Sequence, residues 1–133
     1  MQGESRFKIY NPEGMHKPMG YSHVAEVTGG KLVYIAGQVA LDKSGNVVGK
    51  DDFRAQIRQV FENLKTAIGA AGGDFTHIIK LNIFVLDVSR LLDIREVRDE
   101  FVNTHNPPTS TLVQVAKLAR PEFLVEVEAV AVV

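Results

Sequence analysis

Two carboxylates near one end of the sequence, Glu126 and Glu128, have the clearest chemical potential. They sit in the run Phe123 to Val133, which alternates Leu124, Glu126, Glu128 and Val130 against Val125, Val127, Ala129 and Ala131. Period two and β-branched residues predict a strand. Residues two apart leave the same side of a strand, so these carboxylates stand about 7 Å apart. Their neighbours on that side are apolar. Such a carboxylate is a candidate general acid or base if the face lines a pocket. If the face looks into water, it is a solvated strand residue. The other reactive types point less clearly. His16, His23, His77 and His105 lack metal-ligand spacing, and His23 and His77 fall in strand-like runs, where a structural role is the simpler reading. The hydroxyls of Thr109, Ser110 and Thr111 precede a strand, where they more often bond nearby backbone than attack a substrate. No GxSxG, HExxH, P-loop or GxGxxG pattern occurs.

Composition bounds the function classes. The 133 residues are 45% hydrophobic, enough for a single domain over 1–133 with one sizeable core. A net charge of −1 gives no electrostatic pull toward nucleic acid or an anionic membrane. With no cysteine there is no disulfide frame, thiol nucleophile or thiolate metal site. The opening residues MQGESRFKIY contain no apolar signal core, and no run approaches a membrane span. The expectation is a cytoplasmic protein with no membrane partner.

The elements that must position these residues follow in order. Residues 6–10 read as a short edge strand, closed by the Asn11-Pro12 turn signal. Tyr21–Val27 and Lys31–Ile35 flank Gly29-Gly30, which predicts an antiparallel hairpin. Gly37 at the end of the second run marks a bend or a close backbone approach. Residues 41–50 read as a loop. Asp51–Ala71 carries Phe53, Ile57, Val60, Leu64, Ala67 and Ala71 on one stripe, with Asp51 as N-cap and Gly72-Gly73 as the stop. Ile78–Leu86 is nearly all apolar and predicts a central strand buried on both sides, with Lys80 and Asn82 on a partly buried face. Asp87 caps a second helix over Val88–Thr104, turning Leu91, Ile94, Val97 and Phe101 inward. Ser110–Leu118 and Phe123–Val133 complete the chain around a turn at Ala119-Arg120-Pro121. The fold class is α+β: a mixed sheet with two helices on one face. The other, half-apolar face is a candidate oligomer surface.

The combination is more specific than its pieces. Tyr21-Ser22-His23, the run LVYIAGQ, the segment AIGAAGGDFTHIIKLNIFVLD, the run PPTSTLVQVAKL and the closing VEVEAVAV occur in this order. Together they resemble the Rid family, also called YjgF or endoribonuclease L-PSP proteins, from about Tyr21 to Ala131. The resemblance implies a chorismate-mutase-like fold and a homotrimer with a small-molecule ligand in clefts between subunits. It implies hydrolysis of imines or enamines to a ketoacid and ammonia, without metal or cofactor.

Carried over residue by residue, the match is partial. The resemblance makes Glu126 the residue that holds the attacking water and Tyr21 a ligand-positioning residue. Gly37 and Gln38 are retained, and Ala36 stands where the family has a serine. Ser110 stands where it has a carboxylate-gripping arginine, and shifting the alignment by one gives Thr109 or Thr111 instead. Arg95 falls where a cleft-lining asparagine is expected. Loss of a bidentate guanidinium contact costs a few kcal/mol for a small anion, about two powers of ten in affinity. The reading is therefore a deaminase of altered specificity, unless Arg95 or another cation approaches from elsewhere. The alternative is a trimer that binds a small metabolite without turnover. Ribonuclease or protein-interaction activity is the third reading, with nucleic acid disfavoured by the charge and the lack of a basic stripe.

Overall fold

The computed structural model describes residues 6–133; residues 1–5, part of the single-domain expectation, lie outside it. Six strands and two helices follow one another: β1 (Phe7–Tyr10), β2 (Val24–Val27), β3 (Leu32–Gln38), α1 (Phe53–Ala70), β4 (Ile78–Val85), α2 (Leu91–Arg98), β5 (Thr109–Gln114) and β6 (Val125–Val132). Short 3₁₀ turns precede β4 and α2. The main sheet runs β3-β6-β4-β5, antiparallel except for the parallel β4–β5 pair. β1 and β2 form a separate antiparallel ribbon.

The predicted hairpin across Gly29-Gly30 does not form. β2 pairs with β1, and β3 pairs with β6. Gly30 turns the chain with φ +86°, and a β-carbon there would press 2.9 Å from Val132 Cγ1. Reciprocal bonds from Lys31 N to Val133 O (2.7 Å) and from Val133 N to Lys31 O (2.9 Å) then close β3 onto β6. The long pairing with β6 wins over a short local one. Residues 21–23 also fall outside β2, because Ser22 is drawn to the start of β5 instead.

α1 keeps its predicted stripe except at Ala71, which lies past the helix end as its C-cap. Phe53, Ile57, Val60 and Leu64 are buried, and Ala67 packs at the core's margin. Its cap is Asp52, not Asp51: Asp52 Oδ1 accepts from Ala55 N, while Asp51 takes a left-handed φ of 58°. Gly72 (φ +89°) and the bond from Gly73 N to Ile68 O stop the helix. α2 is much shorter than 88–104. Its i→i−3 bonds from Glu100 N to Val97 O and from Phe101 N to Arg98 O tighten the chain into turns. Asn103 then takes the amides of His105 and Asn106 on its side chain. Asp87 caps the 3₁₀ turn before α2 by accepting from Ser89 N.

The core lies between α1 and one sheet face, where Leu81, Ile83, Val85, Val125, Val127, Ala129 and Ala131 are buried. β4 is central but buried on one face only; Lys80, Asn82 and Phe84 turn to the other. That open face also carries Glu126, Glu128, Val130, Thr111 and the exposed Tyr34 (76%). Arg54 pairs with Asp93 (3.0 Å) and Glu96 (2.7 Å), locking α2 to α1. No described helix is long and apolar enough to cross a membrane.

Candidate functional site

β6 presents its two carboxylates in different states. Glu128 accepts from Asn82 Nδ2 across the strand pair (3.1 Å), so its charge is already engaged. Glu126 lies opposite Phe84, half-buried, and makes no hydrogen bond or ion pair among the described residues. Beside it the pairing of β3 with β6 slips between Ile35 and Gln38. This bulge brings the Gly37 backbone against Glu126: a β-carbon on Gly37 would stand 2.7 Å from Glu126 Cδ. The bulge is held by Gln38 Nε2 donating to Ala36 O (2.9 Å). Ala36 itself is exposed and lines a shallow hollow with Tyr34, Asn82 and Glu128. A carboxylate free of partners and set among apolar atoms can hold and deprotonate a water.

Tyr21, Arg95 and Ser110 come together elsewhere. They line one cavity of ≈ 390 Å³ with Arg98 and an apolar wall that includes Ile83, Leu91 and Leu112. Ser22 sets Tyr21 there: it is buried, its amide donates to Pro108 O (3.1 Å) and its Oγ to Pro107 O (2.7 Å). Tyr21 Oη meets His16 Nε2 at 3.0 Å, and the His23 ring packs edge-on to both rings. Ser110 pairs in register with Leu81, so it faces the helix side. Glu126, paired with Phe84, faces the open side. Within one chain the sheet therefore separates Glu126, Ala36 and Gly37 from Ser110 and Arg95.

Sequence reasoning missed Arg98. It is 6% exposed, and its Nε and Nη2 both donate to Asp99 Oδ1. Gly20, with φ +77°, makes room for it: a β-carbon there would stand 2.6 Å from Arg98 Nη2. The available signal was spacing. Leu91, Arg95 and Arg98 are four and then three residues apart, which puts them on one helix face. Other polar candidates resolve as structural groups: His77 Nδ1 accepts from Asp74 N in a capping box, and Thr109 Oγ1 donates to Ile79 O. Among the described residues no group of three or more His, Cys, Asp or Glu could hold a metal.

This layout of strands, bulge and helices has close counterparts. The endoribonuclease L-PSP family matches residues 15–133. The chain belongs to this Rid/YjgF family. The Myxococcus xanthus protein called DfrA is 36% identical over 132 residues, covering 99% of each chain. The 2-iminobutanoate/2-iminopropanoate deaminase of Salmonella typhimurium is 33% identical over 112 residues, covering 83% of this chain and 86% of its own. Among solved structures, the Rid-family protein YyfB of Yersinia pestis superposes with a TM-score of 0.86 at 32% identity, covering 97% of this chain and 100% of its own. The mixed sheet with helices on one face is thus the family fold.

Proposed function

We propose that this L-PSP protein hydrolyses an imine or enamine to a carbonyl compound and ammonia, with a specificity altered from that of its named relatives. The carrying observation is the difference between the two β6 carboxylates: Glu128 is bound to Asn82, and Glu126, against the Gly37 bulge, has no partner among the described residues. In this reading Glu126 takes a proton from water as the water oxygen bonds to the imine carbon. That proton passes to nitrogen, giving a carbinolamine; the hydroxyl proton then follows it to nitrogen, the C–N bond breaks, and ammonia leaves as the carbonyl forms. Water and imine become carbonyl and ammonia with no redox change, so no cofactor is called for. The name of the Salmonella relative, a 2-iminobutanoate/2-iminopropanoate deaminase, supports the reaction class.

The two groups of residues face opposite sides of the sheet, which supports a site completed between copies. Gly37, Gln38 and Glu126 of one copy would meet Tyr21, Arg95, Arg98 and Ser110 of the next. A trimer closed through the half-apolar open face provides such clefts. Ser110, neutral and short, changes what the cleft accepts.

The test is ammonia release from imines generated in situ by an amino-acid oxidase or amine oxidase. Turnover that Glu126→Gln lowers at least 100-fold supports the reading. Turnover equal in both proteins rejects Glu126 as the base. A second reading, binding without turnover, is favoured by Ser110 itself, which removes a charged grip. It predicts ligand binding with no ammonia from any imine in the panel.

A further inference from the structure

The cavity beside α2 has a pronounced charge imbalance. Two guanidiniums, Arg95 and Arg98, line it, and no carboxylate does. The Arg95 guanidinium has no hydrogen bond or ion pair among the described residues. Arg98 is buried, yet its one anionic partner among the described residues is the neighbouring Asp99, whose side chain is 47% exposed. Asp99 holds the Nε/Nη2 edge of the guanidinium, and Nη1 is not among its donors. Ser110 also lines the cavity, and its Oγ has no hydrogen bond among the described residues. Buried guanidiniums are retained where planar, two-point recognition of an oxyanion is needed. Beside Tyr21, the remaining wall is apolar: Ile83, Val88, Leu91 and Leu112, with the exposed Met19. A cavity of ≈ 390 Å³ is far larger than a two- or three-carbon side chain requires.

We propose that Arg98, assisted by Arg95 and Ser110, grips the carboxylate of the substrate from α2, and that the apolar wall receives a bulky side chain. The inference rests on the hydrolase reading above and names its substrate class: imino acids with a large aliphatic or aromatic side chain. The grip has moved from strand to helix. Ser110, which is short, leaves the space that the guanidinium enters, and Gly20 leaves the space in which it turns. Leu112 and Ile83 then meet the substrate body.

The test is binding of stable keto-acid products to the full chain by calorimetry, which needs no turnover. Phenylpyruvate should bind at least tenfold more tightly than pyruvate and than its own methyl ester. Arg98→Met should weaken phenylpyruvate by about 10–100-fold and leave the methyl ester within about twofold. Ser110→Asp, which leaves Arg98 in place and adds a negative charge, should weaken the acid and not the ester. This variant keeps the test valid if Arg98→Met fails to fold. Equal binding of acid and ester to the wild type overturns the proposal. So does unchanged acid affinity in a folded Arg98→Met or Ser110→Asp protein. Tighter binding of inorganic phosphate than of phenylpyruvate also overturns it. Acid binding that depends on Arg98, without ammonia release from the matching imine, would sustain this proposal and reject the hydrolase reading. Ammonia release from carboxylate-free imines, without Arg98 dependence, would do the reverse.

Discussion

Gly37 and Glu126 share a space that only a glycine leaves open. A β-carbon on Gly37 would lie 2.7 Å from Glu126 Cδ and 2.9 Å from its Cγ. The β3 bulge therefore fixes where the carboxylate can stand. Gly37→Ala should displace Glu126 and lower ammonia release by about 100-fold, the same loss expected of Glu126→Ala. The double variant should be no worse than either single one, because both remove the same group. Circular dichroism should show an unchanged fold, since the glutamate tip can swing into the open face. Additive losses would disprove the coupling.

Gln56 is a second buried relationship, this time structural. It is fully buried on α1; its Nε2 donates to Gly49 O (3.1 Å) and Glu122 O (2.8 Å), and its Oε1 accepts from Leu124 N (2.9 Å). It ties α1 to the segment that launches β6. Gln56→Leu keeps the volume and strands three backbone groups. At 1–3 kcal/mol for each unsatisfied buried group, the loss should be about 3 kcal/mol or more, read from urea unfolding. A loss below about 1 kcal/mol would mean that water reaches these groups.

Ion pairs from α1 to α2 and to the turn after it contribute to stability toward acid. Asp93 is held below the ordinary carboxylate range by its hydrogen bond from Arg54 and then by that from Arg90. Glu100 is lowered by its hydrogen bond from Arg58. A carboxyl group whose pKa is depressed on folding stabilises above its unfolded pKa, about 4, and loses that contribution as pH falls through the folded value. The urea midpoint should therefore hold near neutrality and fall below about pH 4. Asp93→Asn should flatten that fall. The change is modest, because these pairs are solvent-exposed. An unchanged acid profile in Asp93→Asn would remove Asp93 from the account.

The open sheet face predicts self-association. Tyr34 is 76% exposed and Leu32 53%, in register with Val130 and Val132 of β6. Sedimentation should find a trimer for the wild type and smaller species for Tyr34→Asp, with the far-ultraviolet spectrum unchanged. A monomeric wild type would exclude a site built between copies.

Much of this fold is legible in the sequence, for local reasons. The α1 stripe and the Gly72-Gly73 stop depend on contacts three and four residues apart, and the two faces of β6 depend on alternation alone. What fails depends on distant partners. Gly29-Gly30 reads as a hairpin turn, but the competitor for β3 is β6, about a hundred residues away. Val88–Thr104 reads as one helix because apolar spacing continues through Phe101, whereas the turns after Arg98 are set by i→i−3 bonds and the Asn103 side chain. In the candidate site, Glu126 and Gly37 were singled out from sequence, and their contact follows from the bulge. Arg98 was not, because a helical arginine reads as surface charge until Gly20, from a distant loop, is seen to accommodate it.

The strand order β3-β6-β4-β5 has a consequence for biogenesis. β3 and β4 emerge from the ribosome well before β6, yet β3 joins the sheet only through it and β4 has its long antiparallel partner in it. Until β6 is made, a nascent chain carries Leu81, Ile83 and Val85 on a strand with no antiparallel neighbour, and α1 with half its docking surface missing. Non-local pairing of this kind is slow and leaves apolar edges exposed. The growing polypeptide is thus a natural client for chaperones that shield apolar segments during translation, and translation speed across residues 86–124 sets how long that shielding must last.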